Sequence, residues 1–584
     1  MNYQAPALRR SLLSIALVAP LAASAAGGND FAAWRAQHQQ EFANYLSEQD
    51  REFSEGLRRD WEAFKPSAPV IRDETPKPSK PPSVVPSTKP LATPAPVATP
   101  PPAVTPTPEV TPTPAVVVPT VKPPATTPPV TPAARPPATT PPVVTAPPVT
   151  PVVVTPPPAV TPPPATTPPP VKPIVVAPPP VAPVVVAPPP VAPVVVAPVQ
   201  PKLVLKPGQR EVKFDWLGSP RSVGLPSGLL VAYKGKVDNR VIADHFAALA
   251  STPYADVVDN INATRKREQL NDWMTLLLIS SMAGEVHPVD TNSRRLLTWF
   301  LGLKSGLDVR LGYAGNEVLT LVATRQMLYG VSYLPLENKR YFVVDPGHLS
   351  DAGRGQIYSY PADGSSASLR AVEMRLENPL LPADARVKER KLAFSYEGKP
   401  REVIVRVPVA LVPAYNQFPQ MDFDVYFSSA VNPVLRQSLL DGLRPLVEGR
   451  APRDAANLLL RFVQSSLPYK TDDQQFGYEN YLFPEETLYY PYADCEDRSF
   501  LYAWLVRELL GLDVVGLNYP GHVATAVALP DAGDGETISW EGKRYTVADP
   551  TYIGADIGKS QPGMKGKPVT VIRFAAAPGR SAVR

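Results

Sequence analysis

Cysteine is the scarcest residue of this chain: Cys495 is the only one among 584 residues. One cysteine excludes an internal disulfide. After the N-terminus no apolar run approaches the roughly 20 residues that a membrane-spanning helix needs. The net charge is only +4, with lysine and arginine scattered, so nothing favours nucleic-acid binding. The five histidines show no metal-ligand spacing with partners. We therefore predict no metal and no cofactor.

The first residues are typical of a secretory signal. Arg9 and Arg10 precede the short apolar stretch Ser11–Leu21, and Ala23–Ala25 supplies a small-residue cleavage pattern. We predict a signal peptide at residues 1–25, and export to the periplasm if the source is a Gram-negative bacterium. The alternative is a signal that is retained uncleaved.

Proline is as abundant as cysteine is rare. Most of the 78 prolines fall in residues 66–207, in repeats that exclude helix and sheet because proline removes amide donors and fixes φ. We predict a disordered linker with polyproline II character. Our interpretation is a semi-rigid spacer that lets the C-terminal part work away from an N-terminal attachment. The alternative is an inert tether.

An aromatic helix is predicted before this linker, at residues 29–65. Eleven residues make three helical turns, so side chains at that interval form one stripe. One isolated helix cannot bury such a stripe. We therefore expect self-association or contact with an envelope partner, the alternative being that the helix packs back on the globular part. The stripe contains Phe31, Phe42, Phe53 and Phe64.

The globular part after residue 207 contains two similar blocks. Trp299–Val309 reads WFLGLKSGLDV and Trp504–Val514 reads WLVRELLGLDV. Lys339–Pro346 and Lys543–Pro550 match in the same order, each ending in Asp-Pro. We interpret this as an internal duplication, although helix-strand-strand units can also resemble one another by chance. The predicted regions are a degenerate lobe at 208–370, a β-rich connecting region at 371–430 and a catalytic domain at 431–584.

The sole cysteine stands at the start of a predicted helix. Apolar residues recur at helical spacing after Cys495, and Gly511 ends the pattern. Asp494, Glu496 and Asp497 surround the cysteine, as acidic residues suit a helix N-terminus. A thiol at the positive end of a helix is expected to favour the thiolate.

Two further side chains complete a candidate catalytic triad with Cys495. His522 follows a Pro-Gly turn at the start of a predicted strand, and Asp549 ends a later strand. On an antiparallel sheet the two can lie side by side, with the helix bringing Cys495 to the imidazole. His522 would act as base and then acid, and Asp549 would orient the imidazole.

The first copy lacks this chemistry. An aspartate cannot replace a thiolate in acyl transfer, so the first lobe is expected to be structural or to bind substrate. The matched positions are Asp290 for Cys495, Asn316 or Glu317 for His522, and Asp345 for Asp549.

These residues resemble the transglutaminase-like superfamily of papain-type folds. The motifs are Asp494–Arg498, Gly521–Val523 and Asp549–Thr551, within roughly residues 455–558. The resemblance implies an α+β fold, with a helix packed on an antiparallel sheet, and a Cys-His-Asp triad that acts on amide bonds. The superfamily includes protein cross-linkers, proteases, peptide-deglycosylating amidases and bacterial proteins of unknown substrate, and the last group is the most similar. For an oxyanion side chain, Gln475 and Tyr490 are weak candidates.

The sequence therefore predicts an exported cysteine-dependent enzyme of the cell envelope, a peptidase, amidase or acyltransferase. It would act through a thioester on Cys495. The expected substrate is an envelope protein or a peptidoglycan peptide, a choice that follows from the compartment alone. The rival hypothesis is a non-catalytic binding or assembly protein that retains the fold.

Overall fold

The computed structural model describes residues 28–70, 202–347, 355–361, 368–384, 386–531 and 533–574. In the first helix, side chains are described without interruption only from Leu46 onward. The predicted signal peptide and residues 71–201 of the proline-rich region lie outside the described residues. The described residues all belong to one compact unit.

Several helices of the described residues have an Asp or Asn at the N-cap, whose side chain accepts a hydrogen bond from a backbone amide of the first turn. This capping occurs at the starts of α2, α4, α5 and α8. Within these residues no helix is both long and apolar enough to cross a bilayer. In chain order the helices are α1 Gly28–Leu57, α2 Asn239–Ala250, α3 Ala255–Arg267, α4 Asp272–Val286, α5 Thr291–Lys304, α6 Val412–Tyr415, α7 Phe423–Phe427, α8 Pro433–Val447, α9 Pro452–Ser466, α10 Asp472–Gln475, α11 Pro484–Tyr489 and α12 Cys495–Leu505.

The strands form antiparallel sheets, which makes the fold a mixed α+β one. In chain order they are β1 Glu62–Phe64, β2 Gln209–Trp216, β3 Ser219–Pro226, β4 Val309–Ala314, β5 Glu317–Ala323, β6 Tyr333–Leu336, β7 Lys339–Val343, β8 Ile357–Ser359, β9 Val387–Tyr396, β10 Lys399–Pro408, β11 Val514–Tyr519, β12 His522–Val527, β13 Thr537–Trp540, β14 Lys543–Ala548 and β15 Thr570–Ile572.

The two larger sheets share one strand order. The sheet of the first lobe, residues 208–370 with β1 added at its edge, has the order β1-β8-β4-β5-β7-β6. The sheet of the second lobe, residues 431–584, has the order β13-β14-β12-β11-β15. If β1 is left out and the second sheet is read from β15 to β13, the two orders match strand by strand. The order β8-β4-β5-β7-β6 then corresponds to β15-β11-β12-β14-β13. In both lobes the helix that precedes the sheet in sequence, α5 or α12, packs on the central hairpin. The blocks that are similar in sequence therefore occupy equivalent places in the two sheets.

The C-terminal half of α1 packs on the first lobe. The Phe53 ring lies 5.0 Å from that of Phe246, and the Tyr254 hydroxyl donates to Asp50 at 2.6 Å. Leu57 is 1% exposed. The alternative interpretation, packing back on the globular part, therefore holds for this half. The helix also ends at Leu57 and not at residue 65, because β1 turns the chain along the sheet edge to pair with β8.

Both ends of the proline-rich region meet the same lobe. On the N-terminal side, the Val70 carbonyl accepts a hydrogen bond from the Gly330 amide at 3.0 Å. On the C-terminal side, Lys206 forms an ion pair with Asp256 at 2.8 Å. Residues 46–70 are therefore fixed to the globular part by contacts other than the linker. The interpretation of the linker as a spacer stays a prediction, because residues 71–201 lie outside the described residues.

The connecting region is β-rich only in part. β9 and β10 form a two-stranded hairpin that packs on α8 and α9. From residue 409 onward the chain turns helical and includes α6 and α7. The prediction of strands up to residue 430 is therefore wrong for this part of the region. Phe423, Tyr426 and Phe427 all lie on α7, and their aromatic side chains are buried.

Candidate active site

Helix α12 presents Cys495 at its first residue, as the sequence predicts. The helix continues as a π-helical turn, Val506–Leu510, and Gly511 ends it with a φ of 65°. The Ser499 hydroxyl donates to the Cys495 carbonyl at 2.7 Å and to the Val523 carbonyl at 3.1 Å. The first turn of the helix is thereby tied to the beginning of β12, where His522 lies.

The hairpin β11–β12 positions His522. Tyr519 and His522 are its last register pair, joined by Pro520 and Gly521. Gly521 has a φ of 75°, a conformation that a residue with a Cβ rarely adopts. His522 is therefore fixed at the first position of a buried strand, and it is only 3% exposed.

Asp549 lies immediately after β14, next to β12 in the sheet. Its Oδ2 is 2.9 Å from His522 Nε2. Its Oδ1 accepts the amides of Thr551 and Tyr552 at 2.9 and 3.1 Å, and the Gln561 amide lies 3.3 Å from Oδ2. Several donors thus hold the carboxylate in one orientation towards the imidazole. The predicted pairing of His522 with Asp549 is present.

The thiol of Cys495 meets the backbone of Val523, the residue after His522, but its side-chain hydrogen bond goes to Glu496. It donates to Glu496 Oε2 at 3.1 Å and is fully buried. Burial, together with the nearby Glu496 and Asp494 carboxylates, raises the pKa of Cys495 well above its ordinary value, and a hydrogen bond from the Val523 backbone opposes this. Burial in the first place, and the acidic first turn after it, therefore oppose the predicted preference for thiolate at the helix N-terminus.

A cluster of buried carboxyl groups surrounds the first turn of α12. Asp472 joins it from α10, and burial next to Asp494 and Asp497 raises the pKa of Asp472 to about 11. Carboxylate oxygens of these three residues lie within 4.8 Å of one another. They are the residues that could hold a metal, although the sequence predicted none. Asp472 was missed because 22 residues separate it from Asp494 and no motif joins them.

The two weak oxyanion candidates gain no support. The Tyr490 hydroxyl is engaged with Asn416 Oδ1 at 3.2 Å. Gln475 ends the short helix α10, and its buried Oε1 has no hydrogen-bond partner among the described residues. Only the Nε2 group of Gln475 could donate to an oxyanion, because the carbonyl oxygen is an acceptor. The backbone amide of Cys495 at the start of α12 remains the better-placed donor.

In the first lobe, Arg295 lies at the place that corresponds to the candidate active site of the second lobe. Arg295 donates from Nε to Asp345 Oδ2 at 3.0 Å and from Nη1 to Glu317 Oε1 at 2.7 Å. Asp290 caps α5 by accepting the Ser293 amide at 3.0 Å. The positions that match His522 and Asp549 are therefore linked by a guanidinium. The expectation that this lobe is structural or binds substrate stays a prediction.

No protein-family model, curated protein or solved structure matches this chain.

Proposed function

We propose that the second lobe is a cysteine-dependent enzyme that acts on amide bonds. The observation that carries the proposal is the buried His522–Asp549 pair at 2.9 Å, next to the strand position where the first turn of α12 brings Cys495. Because the Asp549 carboxylate pairs with Nε2 of His522, the other ring nitrogen, Nδ1, is the one that would accept the thiol proton. This division of the two imidazole nitrogens is what a triad requires.

The proposed reaction has two steps. His522 takes the thiol proton, and the Cys495 sulfur attacks the amide carbonyl carbon to form a tetrahedral intermediate. The C–N bond then breaks, His522 gives the proton to the leaving amine, and a thioester remains on Cys495. Water or a second amine attacks the thioester and regenerates the thiol. Water makes the enzyme a peptidase or amidase, and an amine makes it an acyltransferase.

The wider setting is part of the same proposal. We infer a transglutaminase-like fold in duplicate, supported by the shared strand order of the two sheets. Export by the signal peptide would place the enzyme in the periplasm, with envelope proteins or peptidoglycan peptides as substrates. Contact with a second copy or an envelope partner would fall to the N-terminal half of α1, since the first lobe covers the other half.

A second candidate function is a non-catalytic binding or assembly protein. One specific observation favours it: the Cys495 thiol is fully buried and bonded to Glu496 and not to the imidazole. In this alternative the fold of the second lobe would be retained as it is in the first lobe, without turnover.

The deciding experiment traps the acyl-enzyme. The mature chain is incubated with envelope extract, quenched in acid and examined by intact mass and peptide mapping. We expect an adduct on Cys495 that is lost on treatment with hydroxylamine and absent from Cys495→Ser. In parallel, a thiol-directed electrophile is applied between pH 5 and 9. A thiol that reacts no faster than a free cysteine, with no adduct in any extract, would favour the binding protein.

A further inference from the structure

We propose that the first lobe binds a medium-chain fatty acid in a cavity between the β2–β3 hairpin and helices α3 and α4. The cavity has a volume of about 340 Å³, and its rim includes the exposed side chains of Ser222 and Asn260. All lining residues fall between 202 and 282, so none belongs to the candidate triad of the second lobe. This inference goes beyond the proposed catalysis and does not depend on it.

Apolar side chains form the inner wall of the cavity. The hairpin, α3 and α4 each contribute to this wall, because they pack against one another. An apolar wall favours an aliphatic chain, whereas a peptide would bring backbone amides whose hydrogen bonds such side chains cannot satisfy. The wall consists of Phe214, Val223, Ile261, Leu278, Ile279 and Met282, each at most 9% exposed.

The charged residues of the same cavity are all positive. Lys202, Arg221 and Arg267 line it, and no aspartate or glutamate is among its lining residues. Arg221 and Arg267 are neighbours, because both donate to Glu268, at 2.8 and 3.2 Å. Two guanidinium groups therefore share this carboxylate, and Lys202 adds a further positive charge. A cavity lined by charge of one sign favours a ligand of the opposite sign, here an anion.

Arg267 has the donor that an anionic head group needs. Both of its hydrogen bonds come from Nη2, to Thr264 Oγ1 at 3.1 Å and to Glu268 Oε1 at 3.2 Å. Its Nη1 has no hydrogen-bond partner among the described residues, and the side chain is 27% exposed. A guanidinium binds a carboxylate through charge-assisted hydrogen bonds, which are stronger than neutral ones. Ile261 and Thr264 precede Arg267 on one face of α3, so a head group at Arg267 would adjoin the apolar wall.

The C-terminal end of the proline-rich region forms another part of the cavity. Lys202, Leu203 and Val204 line it, and Val204 is 78% exposed although it is apolar. A bound aliphatic chain would cover part of this exposed side chain. The cavity volume lies near the lower limit of the range of about 300–1,000 Å³ that is common for small-molecule sites. A chain of medium length therefore suits the cavity better than a long one.

Calorimetric titration of the mature full-length chain with sodium octanoate tests the proposal. We expect saturable binding of one molecule per chain, with a Kd of about 0.1–1 mM. Octanamide has the same chain and a neutral head group, and it should bind at least about tenfold more weakly. Acetate, which lacks the chain, should not bind measurably. Absence of saturable binding at about ten times the expected Kd of octanoate would overturn the proposal. Equal affinities for octanoate and octanamide would overturn the choice of an anionic ligand.

Matched variants locate the site. Arg267→Gln should weaken octanoate binding at least about tenfold and change octanamide binding little, because it removes the charge at the head group. Lys266→Gln, at an exposed neighbour that does not line the cavity, should leave both affinities unchanged. Asn260→Trp places an indole at the rim and should weaken the binding of both ligands. Lys202→Gln replaces Arg267→Gln if that variant does not fold. Unchanged octanoate binding in the charge variant and in Asn260→Trp would contradict the assignment.

A photoreactive octanoate with a diazirine on its chain gives an independent readout. After irradiation, peptide mapping should find the label on α4 or on the β2–β3 hairpin. A label confined to other segments would overturn the site. Cys495→Ser should bind octanoate as the wild type does, because the thiol lies outside the cavity. Failure of the catalytic proposal would therefore leave these binding results unchanged.

Discussion

The two lobes have the same strand order, yet their central side chains differ. In the second lobe His522 faces Asp549, whereas in the first Arg295 joins Asp345 to Glu317. A guanidinium stays protonated at any pH that a protein meets, so it cannot act as a base. An imidazole titrates near neutrality and can. The comparison shows that this arrangement can hold either an arginine–carboxylate pair or an imidazole–carboxylate pair at the same place.

The largest expected effect is the loss of chemistry in the second lobe. Replacing His522 with Ala removes the proposed base, and Asp549→Asn removes the group proposed to orient it. We expect either change to lower the rate of adduct formation on Cys495 by about 10³-fold or more. The measurement is the single-turnover rate in envelope extract. A variant of His522 that reacts at the wild-type rate would show that the pair is structural, as in the first lobe.

The next effect concerns the stability of the first lobe. Arg295→Ala leaves the buried Asp345 with Arg294 as its remaining partner, at 2.9 Å. We expect a loss of about 3 kcal/mol in the free energy of unfolding, because breaking a buried pair leaves a poorly compensated charge. Urea denaturation measures this loss. Adduct formation on Cys495 should be unchanged in the folded variant. A loss below about 1 kcal/mol would mean that Arg294 alone neutralises Asp345.

A pH effect should also be specific to the first lobe. Burial, with His287 nearby, lowers the pKa of His245 to about 4, while Asp290 opposes the shift. The unfolded chain binds this proton near pH 6.5, so the folded state loses stability as the pH falls from about 6.5 to about 4. The contribution is at most about 3 kcal/mol. Urea denaturation at pH 7 and pH 4.5 should show a smaller acid loss for His245→Gln. Equal acid losses in the variant and the wild type would exclude His245 as the cause.

The smallest effect concerns the connection between α1 and the rest of the chain. A protease site inserted near residue 135 allows the chain to be cut inside the proline-rich region. Because Leu57, Phe53 and β1 are held by the first lobe, we expect the cut fragments to co-elute and the thermal midpoint to change by less than about 3 °C. Leu57→Ala should promote separation after cutting. If the N-terminal fragment elutes alone after cutting of the chain that retains Leu57, the result would favour the spacer interpretation.

Local signals predicted much of the second lobe. Apolar spacing and Gly511 gave the helix at Cys495, and the Pro-Gly turn gave the hairpin at His522, because these features depend on a few neighbouring residues. The pairing of His522 with Asp549 also followed, since adjacent antiparallel strands bring their ends together. The end of α1 was misjudged because the residues after Leu57 leave the helix to pair with β8, a partner almost 300 residues away in sequence.

The sequence was sufficient to specify which residue types stand at each turn and strand end, and so to indicate the candidate triad. Long-range packing settled the remaining questions. It placed Asp472 against the first turn of α12, directed the Cys495 thiol to Glu496 and raised its pKa. The burial of a side chain and the charges around it depend on which distant segments of the chain pack together. A local sequence pattern does not predict that packing. The same physical cause separates the lobes: similar blocks fold alike, but their buried neighbours decide whether the aspartate serves an imidazole or an arginine.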